Sequence, residues 1–456
     1  MNTTSTRRVK VEAGGTGVVA HVGLQLLGAF ADRLGLGHCL SARLPIPVER
    51  APLHDRGKVL VHAALAIAGG GESCADIEHL RSQPELFGHV ASDSTVHRAF
   101  HEITPEVRAE LQAGIAEVRN AVWQRSSATS GTATVFLDID ATLIEVHSEN
   151  KQETGPNYKG GFGFHPLLCF ADATGEALAG LLRPGNAGAN TAADHITLTD
   201  QAVAQLPEAI RAGHEDGDDA VLVRRRIVMR TDSAGSSFAF LRALRAPNIG
   251  FMTAAATTSQ IQGAIFDAEG LEQVWQPALS QDGELRPRSS VCELTTLVDL
   301  SSYPERTRLI VRREPLHPGA QRSLFPSSEF RYWGFYTDEE GDPASLDVVM
   351  RAHAHVENHI ERLKDSGLQR FPFSNASANA NWMTVVLLSA DLVRWFQLLC
   401  CSGYWSSARP KALRWGILHA PGRLVSSGRR RVVRLIDGWP NAEAILTAQR
   451  RIELLA

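Results

Sequence analysis

Two aspartates, Asp138 and Asp140, stand inside an apolar stretch and could together hold a metal ion. The stretch is TVFLDIDATLIEVH, residues 134–147, and its β-branched and aromatic residues are typical of a buried strand. Side chains two apart on a strand share a face, so both carboxylates point the same way. Buried carboxylates are costly unless a cation meets them, so the pair predicts a metal site. The simpler alternative is a pair of caps at the end of a strand.

Three further acids lie far along the chain and could complete such a site. Asp232 follows a short apolar strand in the segment MRTDS, where it could bind a metal or cap the next helix. Glu357 and Glu361 are four residues apart on a predicted helix over 345–366 and share a face with Lys364. Salt bridges on a helix surface give the same spacing, so this alternative stays open.

Two acids from strands and one from a helix are the ligands that two-metal phosphoryl transfer requires. In that chemistry paired Mg²⁺ ions, about 4 Å apart, activate the attacking oxygen and stabilise the leaving oxygen. Hard cations of this kind bind carboxylate oxygens rather than Cys or His, and Mn²⁺ can substitute for Mg²⁺. The sequence therefore predicts a site for two divalent cations.

The chain before the first aspartate is predicted to be helical. Apolar residues recur at helical spacing from about residue 17 to residue 123, and the segment QRSSATSGTA at 124–133 is a linker. A helix over 94–103 could expose Arg98 and resembles the second helix of a helix-turn-helix, which enters the major groove of DNA. Plain helical packing explains the pattern equally well.

The chain from residue 134 onward has the pattern of an α/β protein. The predicted order is β-β-β-α-β-α-β, which implies a mixed sheet with helices on both faces, as in a ribonuclease-H-like core. Strand patterns without clear helices then predict a β-rich insertion. We predict five segments: a helical DNA-binding N-terminal domain (1–123), the first part of the core (134–262), the insertion (263–340), the second part of the core (341–402) and a basic C-terminal hairpin (403–456).

The composition limits the classes of function. The 456 residues carry a net charge of −4, which excludes a uniformly basic coat for nucleic acid but not a local basic face. Six scattered cysteines form no C-x-x-C pair, so zinc fingers and a disulfide framework are not expected. With neither a signal peptide nor a long apolar run, we expect no membrane contact and a soluble, cytoplasmic protein associated with the nucleoid.

Several motifs resemble those of the bacterial DDE transposases of insertion sequences. They are DIDATL, YKGGFGFHPLL with LLRPGNAGANTAADH, MRTDS, and VENHIERLKDSGLQRFP. The resemblance is to the branch whose last motif is Tyr-x2-Arg-x3-Glu-x6-Lys, and it covers about 17–440. It implies a ribonuclease-H-like core that carries a β-rich insertion.

The resemblance also implies roles for single residues. Asp140, Asp232 and Glu357 match the three catalytic, metal-binding acids, with Asp138 and Glu361 as alternates. Lys364 matches the motif's lysine, which touches DNA phosphate. The motif's Tyr and Arg positions hold Met350 and His353 instead, and Arg351 could replace the arginine. Further candidates for phosphate contacts are Tyr158, Lys159, Arg98, Arg429, Arg430 and Arg431.

By the same resemblance, the partners are double-stranded DNA and a second copy of the chain. The protein would bind the terminal inverted repeats of its own element as a homodimer, cut each end, and join the freed 3′-hydroxyls to target DNA. Two alternatives remain at this stage. One is a haloacid-dehalogenase-like phosphatase in which Asp138 is the nucleophile and Asp140 the acid; the other is a non-catalytic DNA-binding derivative of a transposase.

Overall fold

The computed structural model describes residues 10, 12, 14–44, 53–127, 133–188, 190–316, 330–427 and 430–455. The first part of the chain is helical after one short strand. Asp55 caps the third helix by accepting a hydrogen bond from the Lys58 amide (2.8 Å), and Thr104 with Pro105 begins the long seventh helix. The elements are β1 (Val18–Val19), α1 (Val22–Arg33), α2 (Leu36–Ser41), α3 (Arg56–Ala68), α4 (Glu78–Arg81), α5 (Pro84–Phe87), α6 (Asp93–Glu102) and α7 (Pro105–Arg125).

A ribonuclease-H-like core follows, and it confirms the predicted fold class. Its elements are β2 (Thr134–Ala141), β3 (Ile144–Glu145), β4 (Gly155–Pro156), β5 (Phe162–Phe164), β6 (Leu167–Ala171), β7 (Glu176–Leu181), α8 (Ala192–Ala204), α9 (Glu208–Arg211), β8 (Arg226–Thr231), α10 (Phe238–Arg245), β9 (Gly250–Ala255) and α11 (Ser259–Glu269). The strands lie in the order β7-β6-β2-β8-β9. β2 runs antiparallel to β6 and parallel to β8, so the carboxyl ends of β2 and β8 meet at one edge.

Local sequence explains two details of the core. The turn at 172–175, with the sequence DATG, joins β6 to β7, and Gly175 has a φ of 68°, which suits a residue without Cβ. The apolar run at 164–170 does not form one strand, because Pro166 interrupts it and proline donates no ladder hydrogen bond. The part before the proline joins a small sheet, β3-β5-β4, that the sequence analysis did not predict.

The predicted β-rich segment continues the core sheet. Its strands are β10 (Gln276–Leu279), β11 (Leu285–Glu293), β12 (Arg308–Pro315) and β13 (Phe330–Thr337). β13 pairs with β9, so in the described residues the sheet has nine strands in the order β10-β11-β12-β13-β9-β8-β2-β6-β7. The predicted boundary at residue 263 falls inside α11.

The long helix predicted over 345–366 is interrupted. It consists of α12 (Pro343–Arg351), a 3₁₀ turn (Ala352–Ala354) and α13 (His355–Leu363). The expectation of one continuous helix was therefore wrong. The turn directs the ring of His353 towards β2, where it hydrogen-bonds to Asp138.

Helices cover both faces of the core sheet. Asp138 lies opposite Phe170 in the β2–β6 ladder, so the two side chains share a face. His359 of α13 stacks on Phe170 at 5.6 Å between ring centroids, which places α13 over this face. The same face carries α14 (Ala376–Cys400), while α8 and α10 pack on the other.

A buried charge cluster joins the N-terminal helices to the core. Arg119 of α7 donates to Glu176 of β7 (Nε to Oε1, 3.0 Å) and to Asp391 of α14 (Nη2 to Oδ2, 2.5 Å). The indoles of Trp123 and Trp395 also donate to Glu176, each at 2.6 Å. We call Arg119, Glu176 and Asp391 the junction cluster.

The C-terminal segment packs back on the N-terminal helices. Its elements are α15 (Pro410–Leu413), β14 (Gly422–Ser427), β15 (Arg430–Leu435) and α16 (Ala442–Glu453). β14 and β15 form the predicted hairpin, and β1 adds a third strand to it. The helix α16 was not predicted.

One described helix, α14, has the length and hydropathy of a membrane span, and 72% of its apolar window is buried inside the protein. Polar side chains of this helix form hydrogen bonds inside the protein. Asn381 donates to the carbonyls of Phe100 and Ile103, both at 2.8 Å, and accepts from Arg108 (2.7 Å). These contacts are those of a core helix around which the N-terminal domain is assembled.

Candidate active site

Asp140 lies at the carboxyl end of β2 with an almost unsatisfied carboxylate. Its side chain points to the face covered by α13, the same face as Asp138, as the spacing predicted. In the described residues its one hydrogen bond is to the next amide, Ala141 N (2.7 Å). An ionised carboxylate can accept about four hydrogen bonds, so most of this capacity is unused.

Asp232 lies beside Asp140 on the neighbouring parallel strand. Ile139 and Thr231 are the last residues paired between β2 and β8, and Asp140 and Asp232 come next on each strand. The hydroxyl of Thr253 donates to the Asp232 carbonyl (2.9 Å) and fixes the backbone there. The Asp232 carboxylate is exposed and caps a 3₁₀ turn rather than a long helix.

Glu357 comes from the first turn of α13 and is exposed. Its side chain has no hydrogen bond or ion pair with any described residue. Burial, together with the charges of Asp232 and Glu357, raises the pKa of Asp140 to about 6, although the Ala141 amide and His353 act in the opposite direction. The charges of Asp232 and Glu357 therefore act on Asp140.

These acids do not form a finished metal site. Among the residues that the structure describes, no three His, Cys, Asp or Glu side chains lie close enough together to hold a metal ion. Their chemistry nevertheless fits a hard divalent cation, because the carboxylates of Asp232 and Glu357 lie near enough to raise the pKa of Asp140, while Asp140 and Glu357 lack a cationic partner. Binding would therefore require the side chains to move towards one another.

Asp138, the alternate to Asp140, is fully paired inside the protein, which argues against a role as a metal ligand. None of its side chain is exposed. Arg230 donates to both of its oxygens (Nε to Oδ1, 2.8 Å; Nη2 to Oδ2, 2.7 Å), and His353 Nδ1 lies 2.8 Å from Oδ1. These contacts lower the pKa of Asp138 despite its burial. A carboxylate whose oxygens are paired in this way is a poor nucleophile, which argues against the phosphatase alternative.

Arg230 was not predicted from the sequence, and His353 was named only as the residue at the motif's arginine position. Arg230 is fully buried and also meets Asp172 (Nη2 to Oδ2, 2.9 Å), which in turn contacts His355 Nδ1 (3.0 Å). The ionised carboxylate of Asp138 can only accept, so His353 carries the hydrogen on Nδ1. One signal for Arg230 was present, namely a charged residue in the apolar strand before Asp232.

The second alternate, Glu361, lies outside the acid group. It is paired with Lys364 (Nζ to Oε1, 3.2 Å), and its side chain is 58% exposed. Its charge is not among those that change the pKa of Asp140. Glu361 and Lys364 thus form a surface pair on the same helix as Glu357.

The motif residues before Glu357 point inward. Met350 is 1% exposed and belongs to a small apolar core under α12. Arg351 binds Asp347 (Nε to Oδ2, 2.9 Å) and the carbonyl of Leu279. We therefore withdraw Arg351 as a candidate for DNA contact, because such a contact would leave the buried Asp347 with fewer partners.

The other predicted DNA-binding residues are exposed or outside the described residues. Tyr158 is 77% exposed at the turn between β4 and β5, and Lys159 Nζ lies 5.7 Å from its ring centroid. Arg98 is exposed on α6. On β15, Arg430 is exposed and Arg431 pairs with Glu85. Arg429 lies outside the described residues.

The chain was compared with known protein families, curated proteins and solved structures. No curated protein matches the chain. Among solved structures, the "Cryo-EM structure of piggyBac transposase synaptic complex with hairpin DNA (SNHP)" matches with a TM-score of 0.40 and 11% identity, over 89% of this chain and 83% of that chain. The model of the family "Transposase DDE domain group 1" matches residues 1–456. Because that match spans the whole chain, the protein belongs to the DDE transposases.

Proposed function

We propose that the protein cuts the ends of its own insertion sequence and joins them to target DNA, using Asp140, Asp232 and Glu357. The observation that carries this proposal is the position of Asp140 and Asp232 side by side at the edge where two parallel strands end, with the charge of Glu357 near enough to act on Asp140. Ligand sites of open α/β sheets lie at the carboxyl ends of such strands. The family membership supports a transposase as the class of enzyme.

The three acids would hold two Mg²⁺ ions, and Mn²⁺ could replace them. When bound, such ions activate the attacking oxygen and stabilise the leaving oxygen of a phosphodiester. The pKa of about 6 leaves Asp140 ionised at neutral pH and therefore able to act as a ligand. Arg230 and His353 hold Asp138 below the site, which fixes the end of β2 and the position of Asp140.

The DNA would be bound along residues on several elements. Lys364 is partly exposed and directly follows α13, three residues beyond Glu361, so it could reach a phosphate near the cut. Tyr158 and Lys159 lie on a separate exposed turn, and Arg98, Arg430 and Arg431 on the N- and C-terminal elements. Contacts of this kind orient DNA but do not read its sequence. Two copies of the chain would bring the two inverted repeats together as a homodimer.

The test is cleavage of duplex DNA that carries an inverted-repeat end, in Mg²⁺ and in Mn²⁺. Asp232→Asn should lower the rate by roughly a thousandfold or more, because losing a charged ligand removes several kcal/mol of transition-state stabilisation. The matched control is Asp299→Asn. Asp299 is also exposed and accepts a hydrogen bond from the amide two residues on (2.9 Å), as Asp232 does at the same distance, but it lies away from the acids.

Each outcome has a separate meaning. Equal cleavage by the wild-type protein and Asp232→Asn would refute the assignment of the acids. End binding by the wild type without cleavage in either metal would identify a DNA-binding derivative. Loss of cleavage in Asp232→Asn with full activity in Asp299→Asn supports the proposal.

A further inference from the structure

A cavity lies on the side of α13 away from Glu357. Its volume is about 270 Å³, and it opens to solvent beside the exposed residues His355, Asn358 and Ser407. The β6–β7 turn forms one wall and the C-terminal half of α14 another. It is lined by Asp172, Ala173, Thr174, Gly175, His355, Asn358, His359, Arg362, Arg394 and Ser407.

Positive charge collects around this cavity. Arg362 and Arg394 line it, and Arg409 reaches its rim, 3.5 Å from Asn358 Oδ1. None of these three arginines pairs with a carboxylate of the described residues. Burial and the charges of Arg394 and Arg409 lower the pKa of Arg362 to about 10, which shows how closely the cations are held together. Like charges gathered in this way favour an anion.

The arginines are fixed by oxygen atoms of the protein. Arg362 donates to the Ser407 carbonyl (3.0 Å) and to Gln397 (3.0 Å). Arg394 donates to the carbonyls of Thr174 (2.5 Å) and Ser406 (2.7 Å). Neutral carbonyls orient a guanidinium without cancelling its charge. Their arrangement therefore pre-orients the cavity for an anion.

Unpartnered polar atoms of the described residues also line the cavity. Both ring nitrogens of His359 and the hydroxyl of Thr174 are buried and have no hydrogen-bond partner among the described residues. His359 stacks on Phe170, which fixes its ring. Gly175 leaves room beside it, since a Cβ there would lie 3.0 Å from His359 Cε1. Buried polar groups normally have partners, so these groups indicate a missing ligand.

One carboxylate, Asp172, lines the cavity, and it shares the charge of Arg230 with Asp138. Asp172 binds Arg230 (2.9 Å) and His355 (3.0 Å). Arg230 continues to Asp138, below Asp140, so the cavity is connected to the candidate active site through buried charge pairs. The net charge of the cavity wall remains positive.

We propose that this cavity binds a phosphate group of the DNA backbone, on the opposite side of α13 from the catalytic acids. The inference rests on the proposed function, since it requires that the protein bind DNA. Arginine is the side chain best suited to phosphate, through charged and directional hydrogen bonds. A duplex that contacts both sides of α13 would be held on either side of the cut.

The experiment compares the salt dependence of DNA binding by Arg394→Gln, Arg409→Gln and a matched control. Fluorescence anisotropy with an inverted-repeat duplex gives the slope of log K against log salt concentration. Each lost phosphate contact should lower that slope by about 0.9 and the affinity by roughly tenfold. The control is Arg450→Gln, which removes an exposed arginine paired with Glu443 at 2.6 Å. Arg409 is exposed, so its variant tests the cavity even if Arg394→Gln does not fold.

Phosphate ethylation identifies the contact on the DNA. Ethylating one phosphate should weaken binding of the wild type and of Arg450→Gln, but not of Arg394→Gln or Arg409→Gln. Equal slopes in all variants would overturn the proposal while leaving the proposed function intact. Phosphorus NMR with inorganic phosphate separates a further case. In this case Arg394→Gln no longer binds inorganic phosphate but shows the wild-type salt dependence of DNA binding. The cavity then binds free phosphate, and the proposal for DNA is wrong.

Discussion

Two groups of acids in this protein are surrounded in opposite ways. In the junction cluster, each oxygen of Glu176 and Asp391 accepts a hydrogen bond from Arg119, a tryptophan or the Ala177 amide. In the candidate active site, Asp140 and Asp232 each accept from a nearby backbone amide, and Glu357 has no partner among the described residues. Both groups connect distant parts of the chain.

The difference separates structural charge from charge available for function. A buried carboxylate with all its partners is costly to disturb and has no capacity left for a ligand. Carboxylates that repel one another without a cation are retained at a cost, which is typical of functional sites. Asp138 shows the contrast within a single strand, because it is two residues from Asp140 and fully paired.

The largest effect on stability is expected from Arg119→Met. The change leaves Glu176 and Asp391 buried without their cation, and breaking such pairs costs roughly 3–5 kcal/mol. Urea unfolding at neutral pH measures this loss. Asp391→Asn is the control, because it keeps the Arg119–Glu176 pair and should cost less. A loss below about 1 kcal/mol in Arg119→Met would mean that the junction cluster is not a structural element.

Asp140→Asn should increase the free energy of unfolding, whereas Arg119→Met should lower it. Burial and the charges of Asp232 and Glu357 raise the pKa of Asp140 from its usual 3.8 to about 6. Each pKa unit corresponds to about 1.4 kcal/mol, so the ionised carboxylate costs up to about 3 kcal/mol above pH 6. The folded state binds this proton more tightly than the unfolded state. The cost of the ionised carboxylate therefore decreases as the pH falls from 6 towards 3.8. The stability gained by Asp140→Asn decreases over the same range.

Urea unfolding with a chelator present, at about pH 8 and about pH 4.5, measures this difference. The gain in free energy of unfolding should be larger at the higher pH. An equal gain at both values, or a loss at the higher one, would show that Asp140 is not destabilised by its neighbours. Added Mg²⁺ should stabilise the wild type more than the variant, because a cation that binds the folded state stabilises it.

The sequence was sufficient to predict the adjacency of Asp140 and Asp232 but not the environment of Asp138. Continuous apolar runs indicate buried strands, and parallel neighbours bring their carboxyl ends together. Arg230 and His353, which neutralise Asp138, lie 92 and 215 residues away from it. Such pairing depends on the register of β2 with β8 and on the 3₁₀ turn before α13. Neither leaves a periodic pattern in the sequence.

A moderate effect on activity is expected from His353→Gln. Glutamine can still donate to Asp138 but removes the charge that favours ionised Asp140. Loss of such a supporting partner typically costs 10–100-fold, and we expect roughly tenfold because the hydrogen bond is kept. The pKa of Asp140 should rise, so the acid limb of the cleavage rate against pH should move upward. A lower rate with an unchanged pH profile would indicate a structural role alone.

The smallest effect is expected from Glu361→Gln, and it separates two acids one helical turn apart. Glu361 is paired with Lys364 at 3.2 Å and mostly exposed, and such surface pairs contribute at most about 1 kcal/mol. The rate of cleavage should change by less than about twofold, whereas Glu357→Gln should nearly abolish it. Lys364 would then be free to bind phosphate, so affinity for DNA should rise slightly. If Glu361→Gln lowered the cleavage rate more than Glu357→Gln, Glu361 would be the third acid. Lack of a partner would then no longer identify the functional carboxylates of this protein.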